Sequence, residues 1–596
     1  MKNIFKTIAL GAIMAALASC DLSEYSHDDA SVYYAFNSEA NIDQIVNGFF
    51  GGLYSVTSIY GSDPGSVDYV AVSSLDARFT KAYNANTVTQ KLSGFDDLRN
   101  YNYFIDKINS DICTVSDAAK ANYEAIARWF RAEWYYSKLK SWGDVQWYDH
   151  VVLSTNLDDQ YKDRDPRSEV VSHIIDDLEY AYANMTHTSA DKSTIDKWCA
   201  EFLLMRVCLF EGSWQKYHED NVSASQTYFE KAYSAAKEIM DNGGFSLADN
   251  YRQLFTSATL DKNEVLLGGV TGTNIRGSQN NYFNFQINKS LVRPFVNTYL
   301  MKDGTPYTTK YSSDYQTMKY SDEFTDRDPR LAQTVRNPQY QFNGSLSAGN
   351  PDFQVAPLGY QAIKWIQDRP LSSAGDDSQG DLNETSVPAY RYAEVLLDYA
   401  EAKAELGTLT DDDWAKTVGA IRKRAGITGG LTTKPSTVDS YLQKTFYPNV
   451  TDASILEIRR ERAIEFCLEN MRTDDLKRWN CSQLVANLPW TGMHIDALDV
   501  PIDLNGDGVD DVYFSKNTVD KTSKYASIWV QVGKETVGLD VTSVSTGGYD
   551  LIFKIDSENR VWEGDYRDLA PMPADVMDEY TLRGYKLSQN PGYEQR

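Results

Sequence analysis

Between about residue 115 and residue 242, apolar residues recur at steps of three and four, and capping and stop signals cut the run into helices of similar length. One helix carries Val171, Ile174, Leu178 and Ala181, the next Trp198, Phe202, Met205 and Leu209, and a third Phe229, Ala232, Ala236 and Ile239. Ser116 and Asp117 can cap an earlier helix, running through Trp134, that holds Tyr123, Ile126 and Phe130. Asp241-Asn242-Gly243-Gly244 stops the third, because glycine enters the left-handed conformation that ends helices at little cost. Such stripes are buried only by laying helix against helix. The pattern predicts a mainly α fold, a helical solenoid of tetratricopeptide type, although no clean period of roughly 34 residues is found.

The texture changes after about residue 245. "GGVTGTNIRGSQNNYFNFQ", Gly268 to Gln286, and "SSAGDDSQGDLNETS", Ser372 to Ser386, are rich in glycine, serine and asparagine and read as loops. Helices resume at "PAYRYAEVLLDYAEAKAELG", where Tyr392, Leu396, Tyr399 and Leu406 share a face and Gly407 supplies the stop. A further helix is expected from Ile455 to Met471, and residues from about 485 to 570 read as strands and loops around "SIWVQV" and "YDLIFKI". Residues 20–596 are therefore expected to form one domain. Its helical core covers about 38–265 and 387–480, and irregular segments cover about 266–386 and 481–570.

At the start of the chain Lys2 and Lys6 precede an apolar run from Ile8 to Leu17, which closes on Leu17-Ala18-Ser19-Cys20. This is the anatomy of a secretory signal peptide, and the run is too short to span a hydrocarbon core of about 30 Å. Leu-Ala-Ser-Cys resembles the bacterial lipobox. Residues 1–19 are then a lipoprotein signal peptide and Cys20 the lipidated first residue of the mature chain; the alternative is an ordinary signal with a chance cysteine. A formal net charge of −26 repels phosphate backbones, so nucleic-acid binding is not expected. Cys113, Cys199, Cys208, Cys467 and Cys481 form neither a disulfide framework nor a zinc pattern and read as buried thiols.

Five stretches in order carry a resemblance: "ARWFRAEWYYSKLKSWGDVQWYD" from Ala127, "RYAEVLLDYAEAKAELG" from Arg391, "VGAIRKRAGI" from Val418, "RRERAIEFCLENMRTDDLKRW" from Arg459 and "LAPMPADVMDEYTLRGYKLSQNPGY" from Leu569. With the lipobox, they make the chain similar to the SusD-like (RagB/SusD) outer-membrane lipoproteins. The resemblance implies a non-catalytic protein, anchored by lipid to the outer membrane and exposed at the cell surface. It would bind an oligosaccharide or polysaccharide and deliver it to a SusC-type TonB-dependent transporter. A peptide or glycopeptide ligand is the alternative within the family, and a surface glycoside hydrolase with a hidden carboxylate pair the alternative outside it. In the family the ligand lies on a shallow aromatic surface built from the early chain and the irregular middle. The corresponding stretches are Tyr60 to Asn86 and Asn280 to Phe285, with Tyr69, Asp76, Arg78, Tyr83, Asn84 and Tyr282 as candidate ligand-binding residues.

The residues themselves show no His-Glu-x-x-His, Gly-x-Ser-x-Gly, phosphate loop or dinucleotide fingerprint, and no catalytic cofactor is expected. Glu457, Arg460, Glu461, Arg462 and Glu465 fall at helical spacing that suits ion pairs along or between helices. Arg391 and Glu394 read the same way; the alternative is a charged ligand site. "DLNGDGVDD" places side-chain oxygens of Asp503, Asn505, Asp507 and Asp511 at alternating positions of a glycine-bearing loop, with the Val509 carbonyl beside them. Calcium takes six to eight hard oxygens, so a structural calcium is expected here, although Phe514 stands where an EF-hand has its glutamate. The competing reading is a plain acidic turn held by Asx hydrogen bonds.

Overall fold

The computed structural model describes residues 29–51, 53, 64–72, 74–270, 290–341, 349–366, 385–517, 528–533, 538–554 and 560–593. Cys20 and Tyr282 lie outside the described residues. We number the helices that organise the fold and give shorter ones by range.

Helices α1 (Asp29–Phe36) and α2 (Glu39–Phe50) precede α3 (Phe95–Ile108), α4 (Asp117–Trp142), α5 (Arg167–Asn184), α6 (Lys197–Tyr217) and α7 (Val222–Asn242). From α3 to α7 each helix packs on the next in the chain. The Ser116 hydroxyl caps α4 by accepting from the Ala119 amide at 3.2 Å, and α4 runs eight residues beyond Trp134 to Trp142. Helix α7 ends at Asn242, with the left-handed position taken by Gly244 (φ 72°). Helix α8 (Tyr392–Glu405) then stacks directly on α7, so the solenoid continues across everything between residues 243 and 391. Gly407 (φ 69°) follows it, as expected. This is the tetratricopeptide-like architecture predicted from the periodicity.

The intervening segment leaves and re-enters the solenoid at one neck. Strand β2 (Val265–Gly269) pairs antiparallel with β4 (Val387–Arg391), Val265 opposite Arg391 and Gly269 opposite Val387. A second short ladder reaches back to the early chain: β1 (Val70–Ala71) pairs antiparallel with β3 (Ser290–Leu291). Between the two lie short helices at Arg293–Val296, Tyr307–Tyr311, Tyr320–Glu323 and Pro329–Thr334, so this region is less irregular than its composition implied.

Beyond α8 come α9 (Val418–Ala425), α10 (Ala453–Glu465) and α11 (Arg472–Arg478). The single helix expected from Ile455 to Met471 is corrected here. It stops at Glu465, because Leu468 and Asn470 take left-handed backbone (φ 63° each) and the chain turns before α11. The turn is held from outside: the Leu468 amide donates to the Tyr69 hydroxyl at 2.9 Å, and the Trp365 indole donates to the Leu468 carbonyl at 3.0 Å. The strands expected after residue 485 are present. β5 (Thr491–Ile495), β10 (Tyr549–Phe553) and β9 (Leu539–Ser543) form one sheet in that order; β6 (Pro501–Ile502), β7 (Val512–Ser515) and β8 (Ile528–Gln531) form another. After α12 (Ala574–Leu582) the tail packs back, with Asn590 donating to the Trp142 and Ala570 carbonyls at 3.0 and 2.6 Å. The five cysteines after Cys20 are buried free thiols.

Helix α10 is buried on every side although it carries Glu457, Arg460, Glu461, Arg462 and Glu465. Charges removed from water require partners, and here the partners come mostly from other elements. Glu465 accepts from Arg330 and Arg391, each at 3.0 Å, and from Arg424. Arg391, at the end of β4, also bonds Glu264 at 2.6 Å and Glu469 at 2.8 Å. Arg422 bridges Glu457 and Glu461, Arg462 pairs with Asp398 and Asp475, and Arg206 grips Glu394 with two bonds of 2.8 and 2.7 Å. Burial alone would push the Glu465 carboxyl up, but the guanidiniums of Arg424, Arg391 and Arg330 hold it far below the usual carboxylate range. The structural reading of these charges holds, and they tie the neck of the insertion to the solenoid.

Candidate functional site

The β1–β3 ladder joins the flanks of the two stretches singled out as ligand-side, since Val70 faces Leu291 and Ala71 faces Ser290 across more than two hundred residues of sequence. Downstream of β1, the Asp76 side chain caps a short turn, Ala77–Phe79, by accepting from the Arg78 amide at 2.9 Å. The same carboxylate accepts from Arg78 Nε at 3.1 Å. This turn presents Asp76, Arg78 and Tyr83 to a cleft of about 260 Å³, whose other walls are α4, with Lys140, and α11, with Asp474 and Lys477. Ser66, Ser137, Lys140, Thr473 and Asp474 are shared with a larger cavity of about 470 Å³ that extends under β4 and α6.

Three of the six candidate ligand residues thus meet in one cleft. Tyr69 does not join them: it is 3% exposed, its ring lies against Phe295 and its hydroxyl satisfies the Leu468 amide. A ring enclosed in that way offers no face to a ligand, and burial pushes its hydroxyl well above the usual tyrosine range. Asn84 is turned to its own loop, accepting from the Asn86 amide at 2.9 Å, and does not line the cleft.

Lys140, Asp474 and Lys477 went unnoticed in the sequence reading. Thr473, Asp474 and Lys477 sit one and four residues apart on α11, a spacing that places them on one helix face, but nothing local says what the face meets. Within the cleft Lys140 pairs with Asp474 at 2.5 Å. Lys477 instead donates to the Lys140 carbonyl at 3.2 Å. Burial would raise the Asp76 carboxyl, yet the neighbouring Arg78 charge and bonds leave it below its ordinary value. A second opening of about 350 Å³, not foreseen, lies by β9 and β10, where Tyr315 and Tyr441 meet edge to face at 6.0 Å beside Arg293 and Asp550.

At the acidic loop, Asp503 accepts from the amides of Gly506, Asp507 and Gly508 at 2.8 to 3.1 Å. Asp511 accepts from Leu504 and Asn505, Asn505 from Asp507, and Asp507 from Val509. Among the described residues no group of three or more His, Cys, Asp or Glu side chains is gathered as a metal site. The carboxylates expected to hold calcium also accept from backbone amides, as in an Asx-held turn.

A sequence profile of the SusD family matches residues 148–593. The chain belongs to the SusD family. A SusD-like protein of Bacteroides ovatus is 23% identical over 416 residues, an alignment covering 65% of each chain, and so spans less than two thirds of that relative. SusD-like protein P38 of Formosa agariphila is 23% identical over 394 residues, 62% of this chain and 69% of that one. Among solved structures, a SusD-like carbohydrate binding protein from Bacteroides fragilis superposes with a TM-score of 0.61 at 16% identity, over 91% of this chain and 98% of that one. A second SusD-like protein of the same species gives 0.62 at 19%, over 94% and 98%. These identities carry the fold and no more. The range matched by the SusD-family profile contains α11, whereas Asp76, Arg78, Tyr83 and Lys140 on α4 precede it, so the cleft joins a family-typical wall to two outside the profile.

Proposed function

We propose that this SusD-family protein is a non-catalytic surface lipoprotein that binds an oligosaccharide or polysaccharide and hands it to a SusC-type TonB-dependent transporter. Lipid on Cys20 would hold it to the outer membrane; among the described residues no helix is long and apolar enough to cross one. The observation that carries the binding half is the cleft itself, where three elements converge side chains that both donate and accept hydrogen bonds beside the Tyr83 ring. Clustered polar groups that both donate and accept suit a polyhydroxylated ligand. The B. fragilis relative described as a carbohydrate binding protein supports the same reading.

Binding without cleavage fits the carboxylates of the cleft. A general acid for glycoside hydrolysis needs a raised pKa, and Asp76 is held down by Arg78 while Asp474 is paired with Lys140. The test is a panel of glycans and peptides incubated with the purified chain. Retained, uncleaved glycan supports the reading, product formation sinks the non-catalytic half, and retention of peptides alone sinks the carbohydrate half. Cys20→Ala should release the protein from membranes, and co-purification with the transporter should survive mild detergent. Structural calcium at the Asp503–Asp511 loop is a separate proposal carried by the sequence alone, with the Asx-held turn as its competitor.

A further inference from the structure

We infer that the cleft takes the anionic group of an acidic saccharide between Arg78 and Lys477, an inference that rests on the saccharide-binding reading above. In Arg78 the Nε–H is spent on Asp76, while Nη1 is buried and has no partner among the described residues. The residue is 8% exposed, so water does not replace the missing partner freely. Lys477 is also 8% exposed, and its ammonium carries three donors, of which one goes to the Lys140 carbonyl. Among the described residues it forms no ion pair with a carboxylate. Burial and the Arg78 charge both hold that ammonium below the usual lysine range, so the two cations feel one another.

Three carboxylates face the pair. Asp76 is committed to Arg78 and Asp474 to Lys140. Asp568 faces the pair from the body of the protein and attracts both cations, but among the described residues it forms an ion pair with neither; its Oδ1 accepts from the Ser482 hydroxyl and its Oδ2 is buried without a bond. Burial pushes the Asp568 carboxyl upward, which weakens it as a counter-charge. Other buried arginines also keep an unbonded nitrogen, but these two cations line a cleft open to solvent, and among the described residues Lys477 has no ion pair. The edge of a guanidinium and an ammonium together match an oxyanion. On a sugar that group is the carboxylate of a uronic or related acid, or a sulfate ester. The Asp76 and Asp474 oxygens remain available to accept from neighbouring hydroxyls.

The test is an array of acidic oligosaccharides, each printed beside its methyl-esterified or desulfated neutral form and with neutral glycans, probed with the purified chain. At least about tenfold tighter retention of the acidic members is expected, a difference of roughly 1.4 kcal/mol. Preference for carboxylated or for sulfated members names the group. Lys477→Gln keeps a donor for the Lys140 carbonyl and should bring the acid-to-neutral ratio toward one; Lys477→Arg should restore it. An unchanged ratio in Lys477→Gln, with the variant still melting cooperatively, overturns the inference. So does equal retention of acidic and neutral forms, which leaves the saccharide reading intact. Retention of no glycan of either kind overturns both.

Discussion

Two regions of this protein bury arginine, lysine and carboxylates, and they treat them differently. Around Glu465 each cation is matched by carboxylates from another element: Arg330 by Glu461 and Glu465, Arg391 by Glu264, Glu465 and Glu469, Arg422 by Glu457 and Glu461. In the cleft Arg78 has the single carboxylate Asp76, and among the described residues Lys477 has no ion pair and donates to a carbonyl. Closed networks hold elements in register, since removing one partner strands the others. An open one leaves donors for something that arrives later. The same residue types therefore mean structure at one place and recognition at the other, and their partners decide which.

The largest expected effect breaks the closed network. Glu465→Gln leaves three guanidiniums short of a charge and should cost about 3–5 kcal/mol in urea unfolding, or prevent soluble folding. Lys477→Gln, in the open region, should cost less than about 1 kcal/mol; equal losses in the two variants would erase the distinction. Next comes Tyr69→Phe, which orphans the Leu468 amide and should cost about 1–3 kcal/mol while glycan retention stays at the wild-type level. Lost binding at full stability would return Tyr69 to the ligand surface.

Asp413 is a small closed network nearer to solvent, bonded by Lys403, by Tyr399 and by the Thr410 hydroxyl and amide. Burial pushes its carboxyl up, but these bonds bring it down to about 2. A depressed folded-state pKa stabilises fully above the unfolded value of about 3.9 and fades as pH falls through 2. Asp413→Asn should accordingly cost about 1–2 kcal/mol at pH 7, the roughly 2.6 kcal/mol of the full shift being trimmed by solvent, and almost nothing near pH 2. A cost independent of pH would mean that the cap geometry, not the charge, matters. The smallest effect concerns the acidic loop. With structural calcium in that loop, added calcium should raise the thermal midpoint by a few degrees, a rise lost in Asp507→Ala; no rise leaves the plain Asx-held turn.

Much of the solenoid was legible because helix periodicity and caps are local. Ser116, Gly407 and the apolar positions of α5, α6 and α7 act within a few residues of themselves. The charged stripe of α10 could be read as ion pairs for the same reason. What failed needed distant contacts: the break after Glu465 depends on Tyr69 and Trp365, and Tyr69 could not be told from a surface tyrosine without its neighbours. Asp76, Arg78 and Tyr83 were placed by resemblance; Lys140 and Lys477 were missed because their helices look amphipathic in the ordinary way.

By itself the sequence determined that the chain would be mostly helical, where several of those helices are capped or stopped, and that α10 would trade charges with partners. Those follow from backbone hydrogen bonding and side-chain spacing, which span a turn or two. Only the tertiary structure decided which charges would find partners. Glu465 meets Arg330 and Arg391 across 135 and 74 residues, and Lys477 shares a cleft with Arg78 without an ion pair among the described residues. Which segments cross is set by how the β2–β4 neck and the β1–β3 ladder fold the insertion back onto the solenoid.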